Sequence, residues 1–226
     1  MSRLPKYLLR RPKSAGQTIY DLALAPLRML LPDEEAERFG LSSLRTERMA
    51  VVLQNLKGRC LDVGAHDNEL LRTYGEMSGE LGIDASAAGQ SVGVDVVDWG
   101  ADTQLIQDSA HLPFDDSTFD CVAFIACLNH IPERAEAIVE ARRILGDDGR
   151  LLITMISRFV GGISHRLRWW GEHSHRDVHV DELMGMNEAE IMELANGGGF
   201  ELERTVSFYY GMNKLHIFKP RDAGGA

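Results

Sequence analysis

The stretch that decides the fold is CLDVGAHDN, residues 60–68, in which a short apolar run ends at Gly64. A buried strand that turns at a glycine and continues as a helix is typical of this pattern, and Asn68 to Tyr74 is helix-like. Strand-like and helix-like segments keep alternating farther along the chain. Such alternation requires crossover connections and predicts an α/β fold with a mostly parallel sheet.

The remaining elements follow from apolar periodicity and from the glycines and prolines between them. The pattern predicts strands at 91–97, 103–106, 119–126 and 150–156, helices at 33–56, 132–145 and 188–196, and a terminal hairpin of 200–209 and 214–218. We therefore expect a Rossmann-like, seven-stranded sheet with helices on both faces and a C-terminal antiparallel hairpin. We expect one domain over 1–226, with a helical extension (1–57), a core (58–156), a cap insertion (157–187) and a C-terminal helix and hairpin (188–226).

Composition excludes several classes of protein. The 226 residues carry 24 Lys+Arg and 34 Asp+Glu, a net charge of −10, which argues against nucleic acid as a partner. Cys60, Cys121 and Cys127 lie in apolar runs. They are expected to be buried thiols, which indicates a reducing, cytoplasmic compartment. No apolar run reaches the ~18 residues of a membrane span.

The segment 1–31 differs from the rest of the chain. Its first thirteen residues hold five basic and no acidic side chains, and an apolar stretch follows from Ile19 to Leu31. Three interpretations stay open: an organellar transit segment, an amphipathic helix that lies on a membrane surface or over an active site, and a helix that packs on the domain.

Ligands of an open parallel sheet bind beyond the carboxyl ends of its strands. The sequence places 62–68, 95–98, 108–110 and 126–130 there. The motifs at and around these ends are LDVGAHDN (61–68), GVDV (93–96), DSAHLPFDDSTFDCV (108–122), LNHIP (128–132) and ARRILGDDGRLLITM (141–155). In this order the chain, over about 58–220, resembles the class I S-adenosylmethionine (SAM) dependent methyltransferases, particularly their small-molecule branch.

The resemblance implies SAM as the cofactor and methyl transfer to an oxygen, less often a nitrogen or carbon, of a small-molecule or lipid-linked acceptor. It implies these cofactor-binding residues: Asp62, Gly64, Ala65, His66, Asn68, Asp95, Val96, Asp108, Ser109, Ala110 and Ala126. By analogy, the loop after Asp62 holds the methionine portion and Asp95 binds the ribose hydroxyls. Asp108 accepts from the adenine amino group, and Ala110 offers its backbone amide to the ring.

The glycine loop departs from the family pattern, which has glycines at alternate positions where this chain has Gly64, His66 and Asn68. Asparagine tolerates left-handed backbone angles, but histidine brings a side chain to a place of close approach. His66 either points away, weakens SAM binding, or faces the substrate and titrates near neutrality. The altered loop also supports an alternative function, a noncatalytic or weakly active protein of this fold that acts as a binding or scaffold protein.

The ribose ligand has a rival in Asp84, because the segment 82–86 looks like the same motif. Asp95 is preferred since its strand is more apolar and β-branched, which leaves 78–90 as an insertion and a short link to the third strand.

His130 is the candidate catalytic base, and Asn129 is expected to orient the substrate or the SAM amino group. Methyl transfer is an in-line displacement, and a hydroxyl acceptor also needs a base, for which imidazole is suited near neutral pH. The alternative is that His130 only packs or caps the next helix.

In the cap insertion, His173, His175 and His179 carry donors suited to a metal, but no family motif supports one and no metal is predicted. Tyr209, Tyr210 and Asn213 are expected to close the acceptor pocket from the hairpin side.

Overall fold

The computed structural model describes residues 14–31, 33–156 and 186–221. The strands are β1 (Cys60–Val63), β2 (Val92–Asp95), β3 (Gln104–Leu105), β4 (Phe119–Ile125), β5 (Leu145–Ile156), β6 (Phe200–Phe208) and β7 (Asn213–Pro220). The helices are α1 (Ala15–Ala23), α2 (Ala25–Leu30), α3 (Asp33–Arg38), α4 (Leu44–Leu53), α5 (Glu69–Leu81), α6 (Ala85–Gly89), α7 (Arg134–Ile144) and α8 (Glu188–Gly197).

The seven strands form one sheet in the order β3-β2-β1-β4-β5-β7-β6. β1 pairs in parallel with both β2 and β4, and β4 pairs in parallel with β5, whereas β7 runs antiparallel to β5 and β6. This arrangement confirms the predicted Rossmann-like sheet and its C-terminal hairpin. The strand order reverses between β1 and β4, which is where open α/β sheets bind their ligands.

Apolar side chains cover both faces of the sheet. Leu61, Val122 and Ile153 belong to a cluster under α7 and α8 on one face. Cys121 and Leu152 belong to a cluster under α4 and α5 on the other. Both faces of the parallel strands are therefore buried, which explains why β4 reads as an almost continuous apolar run.

The structure corrects three sequence-based boundaries. Residues 33–56 do not form one helix, because Gly40 adopts a left-handed φ of +70° and Ser43 starts α4 by accepting from the backbone amide of Thr46. The expected insertion 78–90 is the end of α5 followed by the short α6. Residues 146–149, which the sequence pattern left between the helix 132–145 and the strand 150–156, are instead part of β5, with an irregular register against β4.

The start of the last helix was predicted correctly. Asn187 and Glu190 form a reciprocal capping box at the N-terminus of α8, each side chain accepting from the other's backbone amide.

The helical extension is fastened to the turn between β6 and β7 by one buried arginine. Arg28 donates to Glu47 Oε1 at 2.6 Å and to the backbone carbonyl of Ser42 at 2.8 Å. Its guanidinium lies 4.8 and 5.0 Å from the ring centroids of Tyr209 and Tyr210. Burial by itself lowers the pKa of Arg28, but the neighbouring carboxylates outweigh burial and raise it, so the side chain stays charged.

Candidate functional site

The loop after β1 keeps a glycine-like backbone at every second position. Gly64, His66 and Asn68 have φ angles of +76°, +50° and +55°. A side chain in this left-handed region costs roughly 1–2 kcal/mol, less for asparagine, so the surrounding structure must impose the conformation. At Gly64 a Cβ atom would also lie 2.8 Å from Cys127 Cβ. The loop therefore has a left-handed backbone at all three positions, although His66 and Asn68 stand where glycines were expected.

Asp95 holds this loop from the end of β2. Its Oδ2 accepts from the backbone amide of His66 at 3.0 Å, and its Oδ1 accepts from that of Val97 at 3.0 Å. The rival Asp84 lies in no strand and caps α6 by accepting from Ser86 at 2.8 Å. The structure thus places Asp95, and not Asp84, at the carboxyl end of a strand beside the loop.

Asp62 is a buried carboxylate next to the same loop. It is 4% exposed, and its Oδ1 has no hydrogen-bond partner within the described part of the chain. Burial and the nearby charge of Asp95 raise the pKa of Asp62 to about 8. A buried carboxyl group with an open oxygen beside a second carboxylate is suited to a cationic ligand, because a positive charge would offset both effects. The donor set therefore fits a cofactor that carries an amino group and a sulfonium.

The ring of His66 is turned toward Trp99, with the two ring centroids 4.2 Å apart. Its carbonyl oxygen accepts from Thr103 Oγ1 at 3.1 Å. Asn68 donates to the backbone carbonyl of Asp102 at 2.5 Å. The side chains that replace glycine thus contact the chain between β2 and β3. Sequence reasoning missed Trp99 and Thr103, since they follow β2 without any motif.

The segment after β3 corrects one expectation. The backbone amide of Ala110, expected to face the adenine ring, instead donates to Asp108 Oδ1 at 2.9 Å. The same oxygen lies 3.1 Å from His111 Nδ1, and this contact, with the Ala110 amide, lowers the pKa of Asp108. Asp108 is therefore an ionised acceptor. Ser109 is buried, whereas Val96 is half exposed at the end of β2.

The chain after β4 meets the glycine loop. Cys127 donates from Sγ to the carbonyl oxygen of Val63 at 2.9 Å, and burial raises the pKa of this thiol, which makes it a structural group. Ala126 has a left-handed φ of +56°. Asn129 Nδ2 and His130 Nε2 lie 3.1 Å apart in a short 3-10 turn over Leu128–His130. Both predicted catalytic residues thus lie on the turn that follows the central strand.

Two expectations concern residues outside the described ranges: the histidines at 173, 175 and 179 lie there, and so do the basic residues of 1–13. Over 14–31, 33–156 and 186–221, no cluster of three or more His, Cys, Asp or Glu side chains is placed to hold a metal. In the same ranges, no helix is long and apolar enough to cross a membrane.

Comparison with known proteins indicates which class of protein the chain resembles. Residues 61–153 match the family model described as a methyltransferase domain. The fold is shared with the Burkholderia thailandensis 1,6-didemethyltoxoflavin-N1-methyltransferase, solved with S-adenosylhomocysteine bound, at a TM-score of 0.54 and 14% identity over 94% of this chain and 93% of the other. Residues 61–153 are therefore similar to a methyltransferase domain, and the chain shares the fold of a methyltransferase solved with S-adenosylhomocysteine.

Two curated relatives that the chain matches carry the same enzyme name. The chain is 30% identical over 122 residues to the ubiquinone/menaquinone biosynthesis C-methyltransferase UbiE of Pseudomonas savastanoi, a match that covers 50% of this chain and 48% of the relative. It is 29% identical to UbiE of Paraburkholderia xenovorans over 70% of this chain and 74% of the relative. The chain thus spans about half the length of the first of these relatives.

Proposed function

We propose that this protein is an active SAM-dependent methyltransferase that acts on a small or lipid-linked molecule with a hydroxylated ring. The observation that carries the proposal is the loop 64–68, whose alternate left-handed residues lie beside the carboxylates of Asp62 and Asp95. The loop keeps this backbone although two glycines are replaced. This left-handed backbone, formed without two of the expected glycines, argues against the alternative of a noncatalytic scaffold protein.

In this proposal each cofactor-facing residue has one task. Asp62 Oδ1 accepts from the cofactor's amino group, which also supplies the missing counter-charge. Asp95 keeps lone pairs for the ribose hydroxyls, since each of its oxygens accepts only one backbone amide. Asp108 accepts from the adenine amino group. When bound, SAM supplies an electrophilic methyl group on a sulfonium centre.

His130 is the proposed base. Its Nε2 atom faces the amide of Asn129, so a hydroxyl of the acceptor would replace that amide as the partner of Nε2. Removal of a hydroxyl proton activates either the oxygen itself or the ring carbon beside it, and His130 therefore has the same first task in both reactions. After methylation of carbon, the proton of that ring carbon also leaves and the oxygen is protonated again, which restores the aromatic ring. Asn129, released from the imidazole, would orient the acceptor.

We favour methylation of carbon, because the curated relatives are named C-methyltransferases. Methylation of oxygen, which the resemblance to the small-molecule branch implies, is the second candidate. The two reactions are distinguished with SAM carrying a ¹³C-methyl group and a short-chain hydroquinone as the acceptor. The NMR chemical shift of the transferred methyl carbon identifies its bond to carbon or to oxygen.

The experiment that tests the proposal itself is a calorimetric titration with S-adenosylhomocysteine, followed by assays of the variant His130→Ala. We expect micromolar affinity for the wild type. The variant should keep that affinity and lose most of its turnover, while Asn129→Ala loses less. The absence of any S-adenosylhomocysteine binding would refute the cofactor assignment. Unchanged turnover of His130→Ala would refute the base.

We also propose that the helical extension brings the protein to an anionic membrane, where a lipid-linked acceptor would reside. Ile19 and Leu22 on α1 are 67% and 62% exposed, and Leu27 and Phe39 are also exposed. The five basic side chains of 1–13 complement anionic headgroups.

Sedimentation with vesicles tests this contact. The double variant Ile19→Ser/Leu22→Ser should lose binding to phosphatidylglycerol vesicles. Val139→Ser, at an apolar site on α7 that is 55% exposed, serves as the control and should bind like the wild type. Equal binding to phosphatidylcholine vesicles, or no effect of the double variant, would rule the proposal out.

A further inference from the structure

Two buried polar side chains lie on strands β5 and β7, apart from the residues proposed above to hold the cofactor. Thr154 on β5 and Asn213 at the start of β7 are each 1% exposed. Within the described part of the chain, Thr154 Oγ1 and both Asn213 Oδ1 and Nδ2 have no hydrogen-bond partner. The backbones of both residues are paired in the sheet, so only the side chains are left over.

Unsatisfied groups of this kind are rare in proteins. A buried hydroxyl or amide without a partner costs about 1–3 kcal/mol, and most such atoms find one. Valine and leucine would fill the same space at positions 154 and 213 without that cost. Two such groups on one face therefore indicate a partner that the described part of the chain does not provide.

The register places these side chains together. Thr154 is directly opposite Leu215, and Asn213 is directly opposite Ile156, so the two polar residues are diagonal neighbours on one face of the sheet. Diagonal neighbours of an antiparallel pair are about 7–8 Å apart, a separation that a single small group can bridge.

The same register relates the pair to the cofactor loop. Asp62 pairs with Ala123 on β4, and Ile125, two residues farther along, pairs with Thr154. Asp62, Thr154 and Asn213 therefore face the same side of the sheet, toward the carboxyl ends of the parallel strands. The residues proposed to hold the cofactor lie on and beyond β1, β2 and β3. Thr154 and Asn213 lie across the switch point, on β5 and β7.

The chemistry of the pair defines its ligand. Neither side chain is charged, and together they offer N–H and O–H donors as well as oxygen acceptors. Their neighbours on this face are apolar, among them Phe208, Leu215 and Met212. We propose that Thr154 and Asn213 form a subsite for one neutral oxygen substituent, a hydroxyl or carbonyl, on an otherwise apolar ring of the acceptor. Its role in acceptor binding rests on the proposed function.

The subsite is closed in this structure. The turn from Phe208 to Asn213 and helix α4 pack over this face, and Glu47 of α4 accepts from the backbone amide of Tyr209 at 3.0 Å. A ring that reaches Thr154 and Asn213 therefore has to separate α4 from the turn. Once it is bound, water is excluded and its oxygen has no competitor for the two side chains.

The experiment compares the binding of 1-naphthol and naphthalene, which differ by a single hydroxyl, at pH 7 with S-adenosylhomocysteine present. We expect the wild type to bind 1-naphthol about tenfold more tightly, the equivalent of one net hydrogen bond. Thr154→Val and Asn213→Leu remove the polar atoms at nearly constant volume and should bring that ratio close to one. Thr154→Ser keeps the hydroxyl and should keep the preference.

Two results would overturn the inference. One is a wild type that binds both compounds equally. The other is a pair of variants, Thr154→Val and Asn213→Leu, with higher melting temperatures and an unchanged preference, since the buried groups would then only reduce stability. If Asn213→Leu does not fold, Thr154→Val and Thr154→Ser still decide the question. The ratio is measured without methyl transfer, so failure of the proposed activity, detected with SAM and a short-chain hydroquinone, is a separate result.

Discussion

Replacing Asp62 by asparagine should remove a pH dependence from cofactor binding. The pKa of Asp62 is raised to about 8, so the carboxyl group of the free protein is protonated at pH 6 and at pH 7. If a cationic amino group binds the ionised form, that proton must leave. Affinity for S-adenosylhomocysteine should then rise about tenfold from pH 6 to pH 7, since one pKa unit corresponds to a factor of ten.

The magnitude can be checked directly by calorimetry. At pH 7 about nine-tenths of a group with a pKa near 8 is protonated, so binding should release about 0.9 proton to the buffer. Titrations in buffers of different ionisation enthalpy measure that number. Asp62→Asn should show neither the release nor the tenfold rise. The α-amino group of the free ligand titrates in the same way in both sets of measurements, so it does not account for a difference between the two proteins.

The same shift affects stability with a definite sign. Between about pH 4 and pH 8 the folded protein retains a proton on Asp62 that the unfolded chain has lost, so this group lowers the free energy of unfolding as the pH rises. Asp62→Asn should therefore stabilise the unliganded protein more at pH 8 than at pH 5.

Identical pH profiles of S-adenosylhomocysteine affinity for the wild type and Asp62→Asn would refute the reasoning on cofactor binding.

Three further predictions concern the loop and the helical extension. Asp95→Asn should weaken S-adenosylhomocysteine binding about tenfold to a hundredfold, whereas Asp84→Asn should change neither affinity nor stability, because asparagine caps α6 equally well; calorimetry and thermal melts distinguish these outcomes. His66→Gly should change that affinity less than about threefold, because the backbone amide that Asp95 binds remains and glycine suits the φ of +50°; a large gain would mean that the imidazole obstructs the cofactor. Arg28→Met should cost about 3–5 kcal/mol in urea unfolding by leaving buried carboxylates unpaired, while Arg45→Met at an exposed ion pair should cost less than about 1 kcal/mol; equal costs would contradict the structural role of Arg28.

The loop after β1 shows that its residue types alone would mislead about its backbone conformation. Its sequence retains one of three expected glycines, yet its backbone is left-handed at all three positions. The bonds that impose this conformation come from elsewhere: Asp95 accepts the amide of His66, and Trp99 covers the imidazole. A residue that is unfavourable by itself is tolerated because tertiary contacts exceed its local cost.

Local pattern predicted the sheet and most of its elements. Apolar runs that end at glycine or aspartate identify buried parallel strands, and the helix start at Asn187 can be recognised in the sequence. Both depend on interactions within a few residues. The break in the predicted helix 33–56 could not be predicted, since helical spacing of apolar residues continues across Gly40.

The sequence by itself determined the fold class, the resemblance to methyltransferases and the carboxylates at the strand ends, since the succession of strands and helices along the chain and their apolar periods can be read locally. Only the tertiary structure placed Asp95, and not Asp84, beside the loop, turned the amide of Ala110 to Asp108, and brought Thr154 and Asn213 to one face. These features depend on hydrogen bonds and strand registers between residues far apart in sequence. No local pattern encodes them, because each partner is chosen by the packing of the whole sheet.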